Sequence, residues 1–139
     1  MTGSINHMIS IITITHNRAG YLPATIKSVL GQTQTDFEWI IVDDGSTDDT
    51  AEVIASFDDE RIKYHYLDRI GRISTLRIYS LDLARGEYIA FIDSDDLWCA
   101  NKLEVQIAAM QALNVSVCLT DYRLFNSTTE PSTAALGEY

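Results

Sequence analysis

The chain has 139 residues, of which 46% are hydrophobic and 22% are charged, a profile typical of a single globular domain. Twenty acidic residues against ten basic ones give a formal net charge of −10. This charge disfavours nucleic acid or an anionic membrane surface as the main partner, because both require cationic patches.

Strand and helix patterns alternate along the chain. Runs of β-branched or continuously apolar residues predict strands at 8–15, 37–42, 88–92 and 115–120, and the alternation of Ile62, Tyr64 and Tyr66 predicts a strand at 62–67. Apolar residues at helical spacing predict helices at 21–30, about 48–57, 73–84 and 101–113. Ser46 or Thr47 is expected to cap the second helix, and Gly86 to end the third. The order and short connections predict an α/β fold, with a Rossmann-like, mostly parallel sheet of about five strands and helices on both faces.

The ends of the chain are expected to lie outside the folded domain, which spans 9–125. Residues 1–8 are interpreted as a leader that is either native or a cloning remnant, and 126–139 as a frayed tail rich in Ser and Thr. No apolar run approaches the roughly 20 residues of a membrane helix, and no signal peptide is visible. Cys99 and Cys118 form no CxxC pair, so we expect reduced thiols and a cytoplasmic location.

The densest chemical signal is the segment 86–96, where an apolar strand runs into Asp93, Asp95 and Asp96. Carboxylates so close together repel each other, and a divalent cation relieves the repulsion because Mg2+ and Mn2+ prefer oxygen ligands. Mg2+ is typically held by one or two carboxylates together with substrate phosphates. The segment therefore predicts a metal site for a phosphorylated ligand. The alternative is a solvated acidic turn at the start of the next helix.

Two further polar clusters follow predicted strands in the same way. Residues 16–18 follow the first strand, Asp43 and Asp44 follow the second, and 93–96 follow the fourth. In a parallel sheet the carboxyl ends of the strands meet at one edge, where ligands bind. The three clusters are therefore expected to share one edge and to bind a nucleotide that carries a diphosphate.

The residue types in these clusters suit different parts of such a ligand. Asp44 or Asp43 could accept hydrogen bonds from an imide N–H, as in uracil, or from ribose hydroxyls. His16 offers a flat ring or a donor, unless it is an ordinary loop histidine. Asp95 with Asp93 would hold the metal against the diphosphate. A guanidinium group can donate two parallel hydrogen bonds to a phosphate. The candidates for this role, each of which could equally form a surface ion pair, are Arg18, Arg72 and Arg77.

Other nucleotide-binding classes lack their signatures here. No G-x-G-x-x-G follows the first strand, and no G-x-x-x-x-G-K-[ST] occurs. A phosphoacceptor receiver would carry its acidic pair after the first strand, whereas the pair here follows the second. These absences disfavour dinucleotide-binding, P-loop and receiver domains.

Four blocks of the sequence resemble the family-2 glycosyltransferases of the GT-A fold, and they lie at 10–18, 30–33, 41–48 and 84–96. The most specific are Val-Asp-Asp-Gly-Ser-Thr-Asp and Phe-Ile-Asp-Ser-Asp-Asp. The resemblance runs over about 9–124, so it implies that 9–125 is the nucleotide-sugar-binding half of a GT-A domain. It implies transfer of a sugar from a nucleotide-diphosphate donor, usually with inversion, with Mn2+ or Mg2+ held by the Asp-x-Asp motif.

The resemblance also implies roles for individual residues. Asp93 and Asp95 would hold the metal. The implied nucleotide-binding set combines the nucleoside pocket, the ribose and diphosphate contacts, and one arginine that matches the family pattern: Thr15, His16, Asn17, Asp43, Asp44, Arg77, Asp93 and Ser94. The implied partners are a UDP-sugar donor and an unidentified glycan or lipid-linked acceptor, with the full-length enzyme peripheral to a membrane.

The general base stays unassigned, because the family carries it in a later part of the catalytic domain. Glu130 and Glu138 lie in the polar tail and are not persuasive. We therefore expect self-association and no sugar transfer by this chain alone; if transfer occurred, Asp96 and Asp121 would be the first candidates. One alternative is a non-catalytic nucleotide-sugar-binding or interaction module. A nucleotidyltransferase is a second, although its Gly-rich basic loop is missing.

Overall fold

A computed structural model describes residues 8–125, in which four parallel strands form one sheet in the order β3-β2-β1-β4. The strands are β1 (Ile9–Thr15), β2 (Phe37–Asp44), β3 (Ile62–Leu67) and β4 (Tyr88–Phe91). The helices are α1 (Leu22–Leu30), α2 (Thr50–Ala55), α3 (Ile73–Leu83) and α4 (Lys102–Leu113). The predicted α/β fold with a parallel sheet is confirmed. Residues 1–7 of the predicted leader at 1–8, and the predicted tail from 126 onward, lie outside the described residues.

The two central strands carry the core on both faces of the sheet. All eight residues of β2 are buried, because β1 and β3 flank the strand and helices cover it. Trp39 and Ile41 pack on one face with the buried residues of α1, α2 and α4, while Ile40 and Val42 pack on the other with Leu76 of α3. Continuous apolar strands are typical of sheets covered in this way. The prediction of helices on both faces is therefore confirmed.

The predicted fifth strand at 115–120 is wrong. In the described chain this segment has no strand structure, and Val117 and Leu119 are 74% and 90% exposed. α4 ends at Leu113, and its C-cap Asn114 turns the chain with a left-handed φ of 52°. β-branched composition favours a strand only where a neighbouring strand supplies hydrogen bonds and a face to pack against. Within residues 8–125, none of the four strands pairs with this segment.

Two predicted helix ends also differ. α2 begins at Thr50, so neither Ser46 nor Thr47 caps it, and the Ser46 hydroxyl instead accepts a hydrogen bond from the Asn17 N–H. α3 ends at Leu83, before Gly86. Gly86 is required for another reason, since a Cβ there would lie 2.4 Å from the backbone nitrogen of Ser10. Glycine at this position allows the chain entering β4 to approach β1 closely.

A buried carboxylate fixes that approach at the amino end of the sheet. Glu38 is 5% exposed and accepts hydrogen bonds from the Ser10 hydroxyl and the Arg85 N–H, both at 2.7 Å. The Arg85 guanidinium lies 3.2 Å from the same carboxylate. Burial raises the pKa of Glu38, but the hydrogen bonds from Ser10 and Arg85 outweigh it and hold the pKa below its usual value. The ionised Glu38 thus ties β2, β1 and the start of β4 together.

A second buried link orients the exit of β4. The Thr13 hydroxyl receives a hydrogen bond from the Trp39 indole at 3.0 Å and donates one to the Ile92 carbonyl at 2.8 Å. Because Ile92 directly precedes Asp93, this link sets where the acidic segment leaves the sheet.

Within residues 8–125 no helix has the length and apolar character needed to cross a bilayer.

Gly86→Ala should destabilise the protein by roughly 2–4 kcal/mol, because the added methyl forces backbone apart where β4 joins β1. The matched control is Gly20→Ala, since a Cβ at Gly20 would meet nothing within 4 Å. Urea unfolding followed by circular dichroism measures both variants. Equal free energies of unfolding for the two would contradict the close-approach role of Gly86.

Candidate functional site

The carboxyl edge of the sheet brings the three predicted polar clusters together. Thr15 at the end of β1 is paired with Asp43 of β2. The loop after β1 bonds the loop after β2, and Arg18 reaches Asp95 in the segment after β4, with Nε and Oδ2 3.9 Å apart. The register of the parallel strands therefore places these residues at one edge, as the strand order predicted.

His16 and Asn17 lock the first two loops to each other. His16 Nδ1 lies 2.8 Å from the Asp44 carbonyl oxygen, so this nitrogen carries the proton and donates. Nε2 lies 3.3 Å from the side-chain amide nitrogen of Asn17, which can donate to it. Asn17 adopts a left-handed φ of 51°, and its Oδ1 accepts from the Thr47 N–H at 2.8 Å. The polar atoms of the two side chains thus hold the loops after β1 and β2 together, while the His16 ring is half-buried.

Asp43 is fully buried beneath this edge. Its carboxylate accepts hydrogen bonds from the Ser46 N–H at 2.8 Å and from the Tyr64 hydroxyl at 2.6 Å. Burial and the Asp43 carboxylate raise the pKa of Tyr64, so the phenol stays protonated and donates. Each carboxylate oxygen therefore accepts a hydrogen bond from the protein, and Asp43 supports this edge from below the surface.

Asp44 is 3% exposed and holds the loop that follows β3. Its carboxylate accepts from the backbone N–H groups of Ile70 at 2.6 Å and Gly71 at 3.0 Å, and from the Arg69 guanidinium at 2.5 Å. Burial raises the pKa of Asp44, but these amide bonds and the Arg69 charge outweigh it and lower the pKa below its usual value. Gly45 makes the arrangement possible, since a Cβ there would lie 2.9 Å from the Arg69 nitrogen.

Thr15 carries an unsatisfied hydroxyl at the same edge. The residue is 2% exposed, and its Oγ1 is the one buried side-chain polar atom without a hydrogen-bond partner in the described part of the chain. Buried polar groups are nearly always paired, and exceptions concentrate where a ligand or ion completes them. Thr15 therefore suits a ligand contact.

The acidic segment after β4 is exposed and poorly balanced in charge. Ser94 is buried, and its carbonyl accepts a hydrogen bond from the Thr25 hydroxyl at 3.1 Å, which fixes the turn. Asp93 and Asp95 point outward, and the half-exposed Arg18 is the cation that approaches Asp95. Burial and the neighbouring carboxylates of Asp93 and Asp95 raise the pKa of Asp96. Excess negative charge at one turn is what a divalent cation would neutralise.

Asp93 and Asp95 fit a cation whose other ligands come from the phosphates of a substrate and from water. In residues 8–125 no group of three or more His, Cys, Asp or Glu side chains is gathered as a metal site. Mg2+ is nevertheless typically held by one or two carboxylates plus phosphates and waters. Asp93 and Asp95 match that pattern, and they are not arranged as an all-protein cage.

The predicted arginines are spread over two sides of the edge. Arg18 lies beside the acidic segment, with its guanidinium 5.8 Å from the Tyr21 ring. Arg77 lies on α3 with its guanidinium 5.7 Å from the exposed Phe91 ring, and Arg72 precedes α3. Two shallow clefts, of about 420 and 430 Å3, lie toward the amino ends of the strands and do not mark this edge.

Sequence analysis missed two residues that hold the site. Tyr64 was interpreted only as part of the alternation that marks β3, and Arg69 lies in a connection without a recognised pattern. Their hydrogen bonds to Asp43 and Asp44 cross 21 and 25 residues of chain. The sequence shows a tyrosine and an arginine in the segment that follows the two adjacent aspartates. Only the strand register shows which side chain reaches which carboxylate.

The sequence and fold match known proteins. The family model described as Glycosyl transferase family 2 matches residues 10–136. The chain is 38% identical over 122 residues to the Escherichia coli UDP-Glc:alpha-D-GlcNAc-diphosphoundecaprenol beta-1,3-glucosyltransferase WfgD, covering 88% of this chain and 48% of WfgD. The chain therefore spans about half the length of this curated relative.

Solved structures share the fold. Staphylococcus aureus TarS 1–349 in complex with UDP-GlcNAc superposes with a TM-score of 0.71 at 29% identity, covering 76% of this chain and 31% of the TarS chain. The mannosyltransferase PcManGT from Pyrobaculum calidifontis, solved with GDP-Man and Mn2+, gives a TM-score of 0.63 at 21% identity over 73% of this chain and 32% of its own.

Asp44→Asn should lower the free energy of unfolding at about pH 7 by roughly 1.5–3 kcal/mol, because the charged acceptor of three donors is lost. The lowered pKa means that the folded protein binds this proton more weakly than the unfolded chain. The contribution is therefore full above the usual pKa of 3.8 and disappears as pH falls through the lower folded-state value. Urea unfolding at about pH 7 and about pH 3 should show the difference from wild type shrinking in acid.

Asp49→Asn is the matched control, because Asp49 is exposed and its side chain does not cap α2 by a hydrogen bond. This variant should stay close to wild type at both pH values. A difference between Asp44→Asn and wild type that is constant across pH would refute the ionised role of Asp44.

Proposed function

Because the chain belongs to glycosyl transferase family 2, we propose that it carries the donor-binding part of a glycosyltransferase that uses a nucleotide-diphosphate sugar. The supporting observation is the carboxyl edge of the sheet, where the unsatisfied Thr15 hydroxyl lies beside one aspartate pair and Asp93 and Asp95 project outward nearby. The edge thus offers a largely buried side with hydrogen-bonding groups and an exposed side with excess negative charge. A nucleoside diphosphate has the same division into a flat base and charged phosphates.

The nucleoside belongs on the side of β1 and β2. We propose that the hydroxyl of Thr15, the ring of His16 and the amide of Asn17 line this pocket. Asp44 contributes a carboxylate that stays ionised at neutral pH, and Asp43 supports the pocket from below. A uracil imide N–H would donate to such a carboxylate, and the related TarS was solved with UDP-GlcNAc. We therefore favour a UDP-sugar donor.

The diphosphate belongs on the side of β4. We propose that Asp93 and Ser94 lie by the ribose and diphosphate, that Asp93 and Asp95 hold Mn2+ or Mg2+, and that Arg18 and Arg77 supply guanidinium donors. When bound, the cation would offset negative charge on the departing diphosphate. Arg18 approaches Asp95 from the loop after β1, so it can exchange a carboxylate for a phosphate without leaving the site.

Transfer to the acceptor is a proposal for the longer protein. WfgD is named for a diphosphoundecaprenol-linked acceptor, which supports a lipid-linked acceptor. We further propose that the longer protein is a cytoplasmic enzyme peripheral to the membrane. Inversion requires a base that takes the acceptor hydroxyl proton on the face opposite the leaving nucleotide. We assign this role to no carboxylate of the donor edge, because those groups hold loops or face the phosphates.

Calorimetry with UDP tests this proposal, and Asp95→Asn should weaken binding in the presence of Mn2+ about tenfold or more. The reason is loss of one anionic metal ligand at an exposed position, which should leave the fold intact. Glu60→Gln is the control, because it removes the same charge from the exposed turn before β3, at the opposite edge of the sheet. UDP affinity that is unchanged by a chelator, or by Asp95→Asn, would exclude the metal role.

Self-association is a further part of the proposal. Among residues 8–125, β4 lies at one edge of the sheet, and its Ile89 and Phe91 are 39% and 50% exposed. Open edges and apolar surface favour pairing with a second copy. Light scattering should give a mass above that of one chain, and Phe91→Asp should reduce it. A monomer at every concentration tested would contradict this part alone.

A further inference from the structure

We propose that Tyr64 is a positioning residue for the nucleoside side of the donor site, acting through Asp43 on the turn after β2 and on the loop after β1. The hydrogen-bonded chain of Tyr64, Asp43, Ser46 and Asn17 is called the Tyr64 network below. The inference rests on the proposed donor site, but it concerns a residue on β3 outside the three polar clusters.

The network begins with a bond from β3 to a fully buried carboxylate. Tyr64 is paired with Ile41 in the sheet, and its side chain reaches along β2 to Asp43, where the hydroxyl donates at 2.6 Å. Asp43 has no exposed surface, and a buried charge is tolerated only when its oxygens are hydrogen-bonded. With Tyr64 fixed by the sheet, the Asp43 carboxylate is held in one orientation.

That orientation is passed to the turn after β2. The second oxygen of Asp43 accepts from the Ser46 N–H at 2.8 Å. The turn contains Gly45 at a left-handed φ of 70°, a region that glycine adopts readily. Asp43 supplies a hydrogen bond on the inner side of the turn.

The turn in turn fixes the loop after β1. The Ser46 hydroxyl accepts from the Asn17 N–H at 2.8 Å, and the Thr47 N–H donates to the Asn17 Oδ1 at 2.8 Å. Asn17 holds a left-handed φ of 51° and lies 3.3 Å from His16 through its side-chain amide. The position of the two proposed nucleoside contacts therefore depends on the turn that Tyr64 and Asp43 hold.

The observed contacts of Tyr64 are with the protein itself. Its ring packs against the main hydrophobic core, and its hydroxyl is committed to Asp43. The raised pKa of Tyr64 keeps the proton on the donor. Loss of the hydroxyl should consequently affect binding through the geometry of the loops.

Tyr64→Phe removes only the hydroxyl, and Tyr79→Phe is the matched control because Tyr79 lies on α3, where its ring contacts His65 edge-on. UDP affinity should fall about tenfold in Tyr64→Phe and stay at the wild-type value in Tyr79→Phe. Amide hydrogen exchange at Ser46 and Asn17 should accelerate in Tyr64→Phe alone. Circular dichroism and unfolding curves establish conditions in which all variants are folded, so that affinity is compared between folded proteins.

A purely structural role would lower the stability of Tyr64→Phe and leave the UDP affinity of the folded protein unchanged, and this result would overturn the inference. The ratio of UDP affinities with and without Mn2+ should match wild type, because Asp93 and Asp95 lie outside the network. A changed ratio would also overturn it, since the effect would not be confined to the nucleoside side.

Asp43→Asn provides a second variant and a double-mutant cycle. If Tyr64 acts through Asp43, adding Tyr64→Phe to Asp43→Asn should change UDP affinity little, whereas additive losses would refute the proposed route. A wild-type chain that binds no UDP would count against the proposed function, and the binding role of Tyr64 would fall with it. Wild-type binding with no effect of Tyr64→Phe would refute only the inference on Tyr64.

Discussion

Two adjacent carboxylates buried at the end of β2 are the constraint on which the candidate site depends. A buried charge is tolerated only when its oxygens are hydrogen-bonded, so each aspartate must recruit donors from neighbouring segments. Successive strand residues point to opposite faces of the sheet, and the two aspartates therefore recruit different partners. Asp43 takes Ser46 and Tyr64, while Asp44 takes the loop at 69–71. The connections after β2 and β3 are fixed by this requirement, and the loop after β1 follows through Ser46 and Asn17.

The acidic segment after β4 differs from the aspartate pair of β2, because its carboxylates are exposed and, within residues 8–125, are not surrounded by hydrogen-bond donors from neighbouring segments. Asp93 and Asp95 are exposed, and partial desolvation together with their negative charges raises the pKa of Asp96. The backbone of the segment is nevertheless firmly placed, because Thr13 bonds the Ile92 carbonyl and Thr25 bonds the Ser94 carbonyl. A fixed backbone with unbalanced side chains suits a transient cation and phosphates. The side at the ends of β1 and β2, where the two aspartates are hydrogen-bonded and the Thr15 hydroxyl is left without a partner, suits a ligand group that is recognised by shape and a few hydrogen bonds.

The amino end of the sheet also contains a buried carboxylate, that of Glu38, and its role is purely structural. Glu38 binds Ser10 and Arg85, and Gly86 lets the two chains approach, so β4 is held against β1 at its start. The part of the sequence that WfgD shares with this chain, and the part of the fold that TarS 1–349 shares with it, belong to longer proteins, since the chain covers 48% of WfgD and 31% of TarS 1–349.

The sequence by itself determined the order of elements, because the β-branched run of β1 and the helical spacing of α1 and α3 are local properties. It also placed the carboxylates at strand ends and indicated the family, since both follow from residue order. Only the tertiary structure decided that 115–120 forms no strand, because a strand requires a partner that composition cannot supply. Likewise, only the register of β2 and β3 decided that Asp43 meets Tyr64 while Asp44 meets Arg69. Hydrogen bonds act over about 3 Å, and which residues come that close is fixed by strand pairing across distant parts of the chain.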